Sequence, residues 1–282
     1  MLKIVSSTFE SSLKINKIMR MNYAYLVTGC LLMMTTVLFG QPSGMITYSE
    51  VTKLEIKGIE GMDLGDMLPS EMSSTKALYF DSAASVYKDA EEFVREDIEM
   101  ESDDGSFQMV IGTSEVEEIL FTDLNSKKLI QQTGFMGKEF LIESDLSKSD
   151  WKITSERIKY LGYVCQKATK TEVIESMAGS DEGPIERDIV AWFTTEIPVS
   201  IGPNAYHQLP GAVLMVSVDD GKTEIKATEV DLAKSTKEHI TRPTKGQKVS
   251  QEEYEKIVKE KMAEMQEMYG GDREGGSFII KG

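Results

Sequence analysis

The chain has 282 residues, of which 40% are hydrophobic, and a formal net charge of −16 at pH 7. This length is enough for one or two domains with a buried core. The acidic excess repels nucleic-acid phosphates and anionic lipid headgroups, so it argues against nucleic acid and membrane surfaces as partners.

Residues 1–40 carry the features of a secretory signal peptide. Lys14, Lys17 and Arg20 precede an apolar run from Tyr23 to Phe39, and the composition becomes polar after Gly40. This order predicts cleavage at that boundary and export to the periplasm or beyond the cell. A membrane anchor is the alternative, but the run is short for a bilayer span and contains threonines, so we expect no stable membrane span after cleavage.

Two other interpretations of the N-terminus stay open. Translation from Met19 or Met21 would give a signal of more ordinary length. The segment ending at Cys30 resembles a lipoprotein cleavage site, but the apolar run continues past it, which favours an ordinary signal.

Alternating apolar and polar residues predict an antiparallel sheet over residues 41–248. The predicted strands are Met45–Ile56, Ala77–Phe80, Phe107–Ile111, Glu118–Phe121, Lys128–Gln132, Glu139–Ile142, Tyr160–Thr169, Ile189–Thr194 and Ala212–Val218. Tight turns are expected at 103–105, 124–126 and 219–221, where Asp-Gly or Asn-Ser pairs occur. We expect a mainly β fold, either a curved antiparallel sheet or a partial barrel, followed by a C-terminal amphipathic helix.

One segment interrupts this alternation. Residues 60–74 mix methionine with glycine, proline and serine, which predicts a loop or a short helix lying over the sheet. Met45, Met62, Met67 and Met72 lack a compact ligand motif, so adaptable packing is favoured over binding of a soft metal.

Residues 190–220 contain a dense set of prolines and glycines. The prolines restrict the backbone and the glycines allow it positive φ angles, at fixed positions: Pro198, Gly202, Pro203, Pro210 and Gly211. This pattern predicts one rigid, largely buried crossover between two neighbouring strands.

The same segment resembles the GLPGLI family of the Bacteroidetes. The resemblance rests on Glu196-Ile197-Pro198-Val199-Ser200, Gly202-Pro203, Tyr206 and Gln208-Leu209-Pro210-Gly211-Ala212-Val213, and upstream on Gly162-Tyr163-Val164-Cys165-Gln166-Lys167-Ala168-Thr169. The chain departs from the family hexapeptide at Gln208, Ala212 and Val213, and only Gln208 replaces a glycine. The resemblance implies an exported β fold and supplies no catalytic residues. The structural signature that it marks comprises Trp192, Glu196, Pro198, Gly202, Pro203, Tyr206, Leu209, Pro210, Gly211 and Cys165.

The sequence contains few residues or motifs that indicate catalysis or metal binding. Cys165, the cysteine left after signal cleavage, lies in an alternating run, where a buried hydrophobic role is favoured over a reactive thiol. Ser200 and His207 share the signature loop and suggest a hydrolase, but no orienting carboxylate or oxyanion hole is recognisable nearby. No metal or cofactor motif is present, so we expect neither a cofactor nor a metal site.

Residues 249–282 predict a helix and a tail. Ser250 and Glu253 form a capping box, and apolar residues recur from Tyr254 to Tyr269 at helical spacing before Gly270, a candidate C-terminal cap. The apolar face either packs on the sheet, which is favoured, or serves as a detachable arm for a partner.

Three function classes follow. The first is a non-catalytic binding or structural module of the cell envelope, with a protein or a small molecule as its partner. The second is a periplasmic carrier that holds an apolar ligand in a half-barrel. The third is the hydrolase. A filled sheet face would favour the binding module, and an exposed apolar concavity would favour the carrier.

Overall fold

A computed structural model describes residues 42–54, 70–90, 98–101, 108–111, 116–146, 150–174, 183–234 and 236–270. Residue contacts divide the chain into units 1–40 and 41–282, and all described residues belong to the second unit.

Most of the described residues lie in one open twelve-stranded sheet, which confirms the mainly β prediction. The strands are β1 (Gly44–Lys53), β2 (Glu71–Phe80), β3 (Ala84–Asp89), β4 (Ile98–Glu101), β5 (Gln108–Ile111), β6 (Ile119–Asp123), β7 (Lys128–Phe135), β8 (Lys138–Asp145), β9 (Lys152–Tyr160), β10 (Tyr163–Ile174), β11 (Ile185–Thr194), β12 (Ala212–Val218), β13 (Thr223–Asp231) and β14 (Gln247–Val249), followed by helix α1 (Gln251–Gly270). The sheet order is β14-β8-β7-β6-β3-β2-β1-β13-β12-β11-β10-β9, and β4 and β5 form a separate two-stranded ribbon.

The sheet is strongly curved. The Tyr160 hydroxyl on β9 donates a hydrogen bond of 2.7 Å to the Ala227 carbonyl oxygen on β13, although three strands separate the two in the sheet order. Four steps of about 4.8 Å would place β9 and β13 about 19 Å apart in a flat sheet, beyond the reach of a tyrosine side chain. The curvature therefore brings one end of the sheet over its middle.

The concave face carries the largest core cluster. Tyr48, Leu78, Ala191 and Ile225 on this face are at most 1% exposed and belong to one cluster with residues of the loop between β11 and β12. The Tyr48 hydroxyl also donates a hydrogen bond of 2.7 Å to the Val213 carbonyl oxygen. Strand alternation thus supplies one apolar face, and curvature with loop packing removes that face from water.

The convex face is covered by the segment between β13 and β14. Ile240 packs against two smaller apolar clusters on that face. The His239 ring stacks on the Tyr79 ring at 4.2 Å, and Arg242 pairs with Glu143 at 3.1 Å.

The chain then passes from the convex to the concave face around the edge of the sheet. Strand β14 pairs in parallel with β8, which corrects the expectation of a purely antiparallel sheet. Helix α1 follows, and its Tyr254 ring meets the Phe140 ring of β8 edge-on at 5.3 Å. The start of the helix therefore packs on the sheet, which confirms the favoured interpretation for this part of the helix.

The capping box of α1 forms as predicted. The Glu253 amide donates to Ser250 Oγ at 3.2 Å, and the Ser250 amide donates to Glu253 Oε2 at 2.8 Å. The helix includes Gly270, which therefore does not act as the predicted residue beyond its end.

Other sequence boundaries need correction. The predicted strand from Tyr160 to Thr169 is a hairpin, because Leu161 and Gly162 adopt positive φ values of 48° and 88° and reverse the chain between β9 and β10. Residues 71–74, predicted as part of a loop or helix, begin β2, where largely exposed side chains hide the alternation. Strands β3, β4, β9, β13 and β14 were not predicted as separate segments. The turn at 124–126 is confirmed, and residues 219–221 form a single 3-10 turn. Residues 60–69 and the turn at 103–105 lie outside the described residues.

Candidate functional site

The signature loop, residues 195–211, joins the neighbouring strands β11 and β12, as predicted, but only eight of its seventeen residues are buried, fewer than the predicted largely buried crossover. Ile197, Ile201 and Leu209 are each 1% exposed and pack into the core of the concave face. Pro198 and Pro210 are exposed, whereas Gly202, Pro203 and Gly211 are buried. The loop therefore covers apolar surface of the sheet with its own apolar side chains.

Two glycines of the loop lie where no side chain fits. A Cβ atom at Gly202 would lie 2.0 Å from the Tyr206 carbonyl oxygen, and one at Gly211 would lie 2.0 Å from the Thr194 carbonyl oxygen. Gln208, which replaces the first glycine of the family hexapeptide, adopts a left-handed φ of 69°. Glycine is the residue that takes this conformation most readily, so the loop keeps the glycine-like backbone there without the glycine.

The remaining signature residues have structural roles. Glu196 Oε1 accepts a hydrogen bond of 2.8 Å from the Val164 amide, which ties the loop to β10. Trp192 is half-buried and packs against the main core cluster. Cys165 is fully buried, and burial, with a smaller effect of the Glu196 charge, raises its pKa to about 11. A thiol with that pKa stays protonated at neutral pH, which agrees with the predicted core role.

Ser200 and His207 do not form a nucleophile–base pair among the described residues. Ser200 Oγ donates its hydrogen bond to the Leu209 carbonyl oxygen at 2.6 Å. His207 is 6% exposed, and its Nε2 atom has no hydrogen-bond partner within the described part of the chain. Burial, reinforced by the Lys170 charge, lowers the pKa of His207 to about 4 and keeps the imidazole neutral at neutral pH.

A second group of residues surrounds Lys170, and we call it the lysine cluster: Trp151, Lys170, Glu172, Tyr206 and His207. Lys170 Nζ lies 4.8 Å from the centroid of the Trp151 ring and 5.3 Å from that of the Tyr206 ring, and it pairs with the Glu172 carboxylate. Trp151 Nε1 donates a hydrogen bond of 3.0 Å to the His207 carbonyl oxygen. An ammonium group between two rings and beside a carboxylate gains cation–π and ion-pair energy together.

Strand register relates this cluster to other charged residues of the concave face, with the buried apolar Ile189 and Val218 between them. Directly paired residues share a face. Strand β10 is connected to β1 through four such pairs: Lys170–Ile189, Ile189–Val218, Val218–Thr223 and Thr223–Thr52. Glu50 precedes Thr52 by two residues, so it lies on the same face. Tyr48 pairs with Lys76, and Lys76 pairs with Asp89 and forms an ion pair with it at 2.7 Å. We call Glu50, Lys76, Asp89, Lys170 and Glu172 the polar row.

Glu50 is the most unusual member of the polar row. Burial raises the pKa of its carboxyl group, against the opposing effects of the Lys76 charge and a hydrogen bond from Tyr87. The Tyr87 hydroxyl donates to Glu50 Oε2 at 3.5 Å, and burial together with the Glu50 charge raises the Tyr87 pKa. The Lys76 charge and the Tyr87 hydroxyl therefore offset part of the cost of burying this carboxylate.

The sequence analysis did not identify Glu50, Lys170 or Trp151 as site residues. A signal was present, because Glu50 lies two and four residues after Tyr48 and Ile46 and so continues the apolar face of its strand. Lys170 stands in the same relation to Ala168. Charged residues at inward positions of alternating strands are the pattern to search for.

The described residues contain no group of three or more histidine, cysteine, aspartate or glutamate side chains that could hold a metal ion. Among those same residues, no helix is both long and apolar enough to cross a membrane.

Residues 151–215 match a family described as "Protein of unknown function (Porph_ging)". The match is consistent with a family of the Bacteroidetes. It begins at Trp151 and runs through β9, β10, β11 and the signature loop into β12, so it includes the lysine cluster.

Among solved structures, the chain is similar to two crystal forms of PNGF-II, in space groups P21 and C2. Each shows 16% sequence identity and a TM-score of 0.47 and covers 77% of this chain, but 33% and 32% of the respective PNGF-II chains. This chain therefore spans about a third of the length of those structures. No curated protein matches the chain.

Proposed function

We propose that the mature protein is an exported binding module of the cell envelope, without a catalytic role, and a member of the GLPGLI family. The basic and apolar order of residues 1–40 supports export. The signature loop supports the family assignment, because Gly202 and Gly211 occupy positions that admit no side chain and Gln208 keeps a left-handed backbone.

The main support for this proposal is the chemistry of the concave face. Its apolar side chains are buried against the signature loop, so what it presents at the polar row is charged and aromatic. Lys170 and Glu172 are only partly exposed, with side-chain exposures of 15% and 38%. Such groups select a partner by charge and shape more than by apolar area.

The two other function classes receive less support. A carrier for an apolar ligand requires an apolar concavity, and the apolar residues of the concave face are already packed against Ile197, Ile201 and Leu209. A hydrolase requires Ser200 Oγ to bond to His207, whereas that hydroxyl donates to the Leu209 carbonyl oxygen.

The test is recovery of the protein from native envelopes after mild crosslinking, followed by mass spectrometry. We expect a protein cleaved after Gly40 and one reproducible partner. The partner should be lost when Lys170 and Glu172 are replaced together by Met and Gln, and kept when the exposed Glu139 is replaced by Gln. Recovery of the uncleaved chain from the cytosol, or equal recovery of the partner with both variants, would contradict the proposal.

A further inference from the structure

Strand β9 is a long and exposed edge of the main sheet. It is the last strand in the sheet order, and it pairs with β10 on one side. Its nine residues include neither proline nor glycine, and six of their side chains are exposed. At the opposite end of the sheet, β14 has only three residues. An edge of the length of β9 presents a row of backbone N–H and C=O groups to which another strand can add.

The hairpin between β9 and β10 determines which backbone groups point outward. The pair Tyr160–Tyr163 closes a two-residue turn, and the closing pair of such a hairpin is hydrogen-bonded. Hydrogen-bonded and non-hydrogen-bonded pairs then alternate along the ladder. The N–H and C=O groups of Lys159 and Arg157 therefore point away from β10, and no other backbone group bonds to them among the described residues. A register shift beyond Arg157 limits the regular part of this edge to residues 157–160.

The unpaired charges of this edge are positive, although the chain has a formal net charge of −16. The side chains of Lys152, Arg157 and Lys159 are exposed, and none of them has an ion-pair partner among the described residues. The neighbouring Glu156 carboxylate is already paired with Lys167 at 3.0 Å. Because Arg157 and Lys159 are two residues apart, their side chains lie on the same face of the strand.

The same charges argue against pairing of β9 with a second copy of itself. Antiparallel pairing through the regular part of the edge would place Arg157 opposite Arg157, Lys159 opposite Lys159, or Arg157 opposite Lys159. Like charges directly opposite each other destabilise a strand pair, whereas opposite charges stabilise it. Lysine residues on sheet edges are a common barrier to self-association. A strand with acidic residues at alternate positions meets attraction at this edge where a second β9 meets repulsion.

We propose that the outer edge of β9 binds an extended acidic peptide segment, which adds to the sheet as a further strand with carboxylates opposite Arg157 and Lys159. Hydrogen bonds to the outward backbone groups of these two residues supply the pairing, and their side chains select an acidic partner over a neutral or basic one. The inference goes beyond the proposed function, because no residue of β9 belongs to the lysine cluster or the polar row.

The test is a calorimetric titration of the protein with synthetic peptides of about six residues, the usual length of a strand. The first peptide alternates glutamate with threonine, and the second replaces each glutamate by glutamine. The third is the first peptide with N-methylated glutamate amides, which keeps the charge and removes the donors that face β9. We expect saturable binding of the first peptide, weaker binding of the second, and no saturable binding of the third.

Joint replacement of Arg157→Gln and Lys159→Gln should weaken binding of the first peptide about threefold to thirtyfold, as expected for loss of two cross-strand charge pairs. Joint replacement of Lys138→Gln and Lys248→Gln is the matched control, because it removes two exposed positive charges from the other end of the sheet. The control should leave the affinity within about twofold at physiological ionic strength. Thermal melts verify that both double variants are folded.

Hydrogen exchange followed by NMR tests the strand pairing itself. The amides of Arg157 and Lys159 should exchange quickly in the free protein and more slowly when the first peptide is bound, because binding occupies them in hydrogen bonds.

Equal weakening by the two double variants would overturn the inference, because it would indicate attraction without a specific edge. Binding of the N-methylated peptide as tightly as the first, or unchanged exchange at Arg157 and Lys159, would overturn it as well. Self-association without peptide that disappears in the Arg157→Gln, Lys159→Gln protein would identify a second copy as the occupant, against the proposal. If no peptide binds while a partner is still recovered from envelopes, this inference fails and the proposed function stands.

Discussion

Replacement of Gly211 by alanine tests whether the signature loop sets the fold. The new Cβ would lie 2.0 Å from the Thr194 carbonyl oxygen and 2.7 Å from its carbon, where ordinary contact begins at 3.4 Å. The clash is with backbone, so it cannot be relieved by a side-chain rotation. Overpacking costs about 1–3 kcal/mol. The positive φ of 156° is a further penalty for a residue with a side chain, of about 1–2 kcal/mol.

The expected loss in the free energy of unfolding is about 2–4 kcal/mol, after allowing about 0.4–1 kcal/mol for the lower entropy of the unfolded alanine chain. For a chain of this size, this corresponds to a decrease in Tm of about 4–16 °C. Urea unfolding followed by circular dichroism gives the free energy, and a thermal scan gives Tm.

Three other glycines separate the two causes. A Cβ atom added at Gly202 would clash at 2.0 Å, but the φ of Gly202 is not in the left-handed region. Gly162 has a positive φ of 88°, but a Cβ atom there would lie in open space. Gly183 has neither a clash nor a positive φ. We expect alanine to destabilise the protein most at Gly211, strongly at Gly202, by about 1 kcal/mol at Gly162, and hardly at Gly183. A Gly211→Ala protein that unfolds together with Gly183→Ala would refute the reasoning.

Three further predictions concern protonation, capping and curvature. Because His207 has a pKa lowered to about 4, its neutral form stabilises the fold above pH about 6.5, and about 3 kcal/mol of this is lost as the pH falls to about 4. The difference in unfolding free energy between wild type and His207→Gln should shrink over that range, and a constant difference would contradict the assignment. Ser250→Ala should weaken the start of α1 by about 1 kcal/mol, seen as lower helicity on heating, and an unchanged helical signal would count against the cap. Tyr160→Phe removes the bond to Ala227 and should cost about 1 kcal/mol in urea unfolding. Tyr163→Phe is its control, and equal effects of the two would argue against a specific role for that bond in the curvature.

Much of the fold could be predicted from local sequence patterns. Alternation identified parts of β1, β2, β6, β7 and β8, because each strand with one buried face repeats its apolar residues every second position. The capping box of α1 was equally readable, because its two hydrogen bonds join Ser250 and Glu253, which are three residues apart. The prolines and glycines of the signature loop predicted a buried crossover, because they restrict the backbone wherever they occur.

Features without local alternation were missed. The edge strand β9 reads KITSERIKY, with most of its side chains exposed, so its strand character comes from pairing with β10 and not from an apolar face. Strand β14 has three residues and forms only because the convex-face segment delivers it to the edge of β8.

The sequence by itself determined that this chain builds a mainly antiparallel sheet with a rigid proline–glycine crossover between two neighbouring strands, because those preferences act over a few residues. The tertiary structure alone decided how the sheet curves and which charges meet on its concave face. Tyr160 reaches Ala227 across 67 positions, and Lys170 lies between Trp151 and Tyr206, which belong to different segments. Such contacts depend on the register and curvature of the whole sheet, and no short stretch of sequence encodes them.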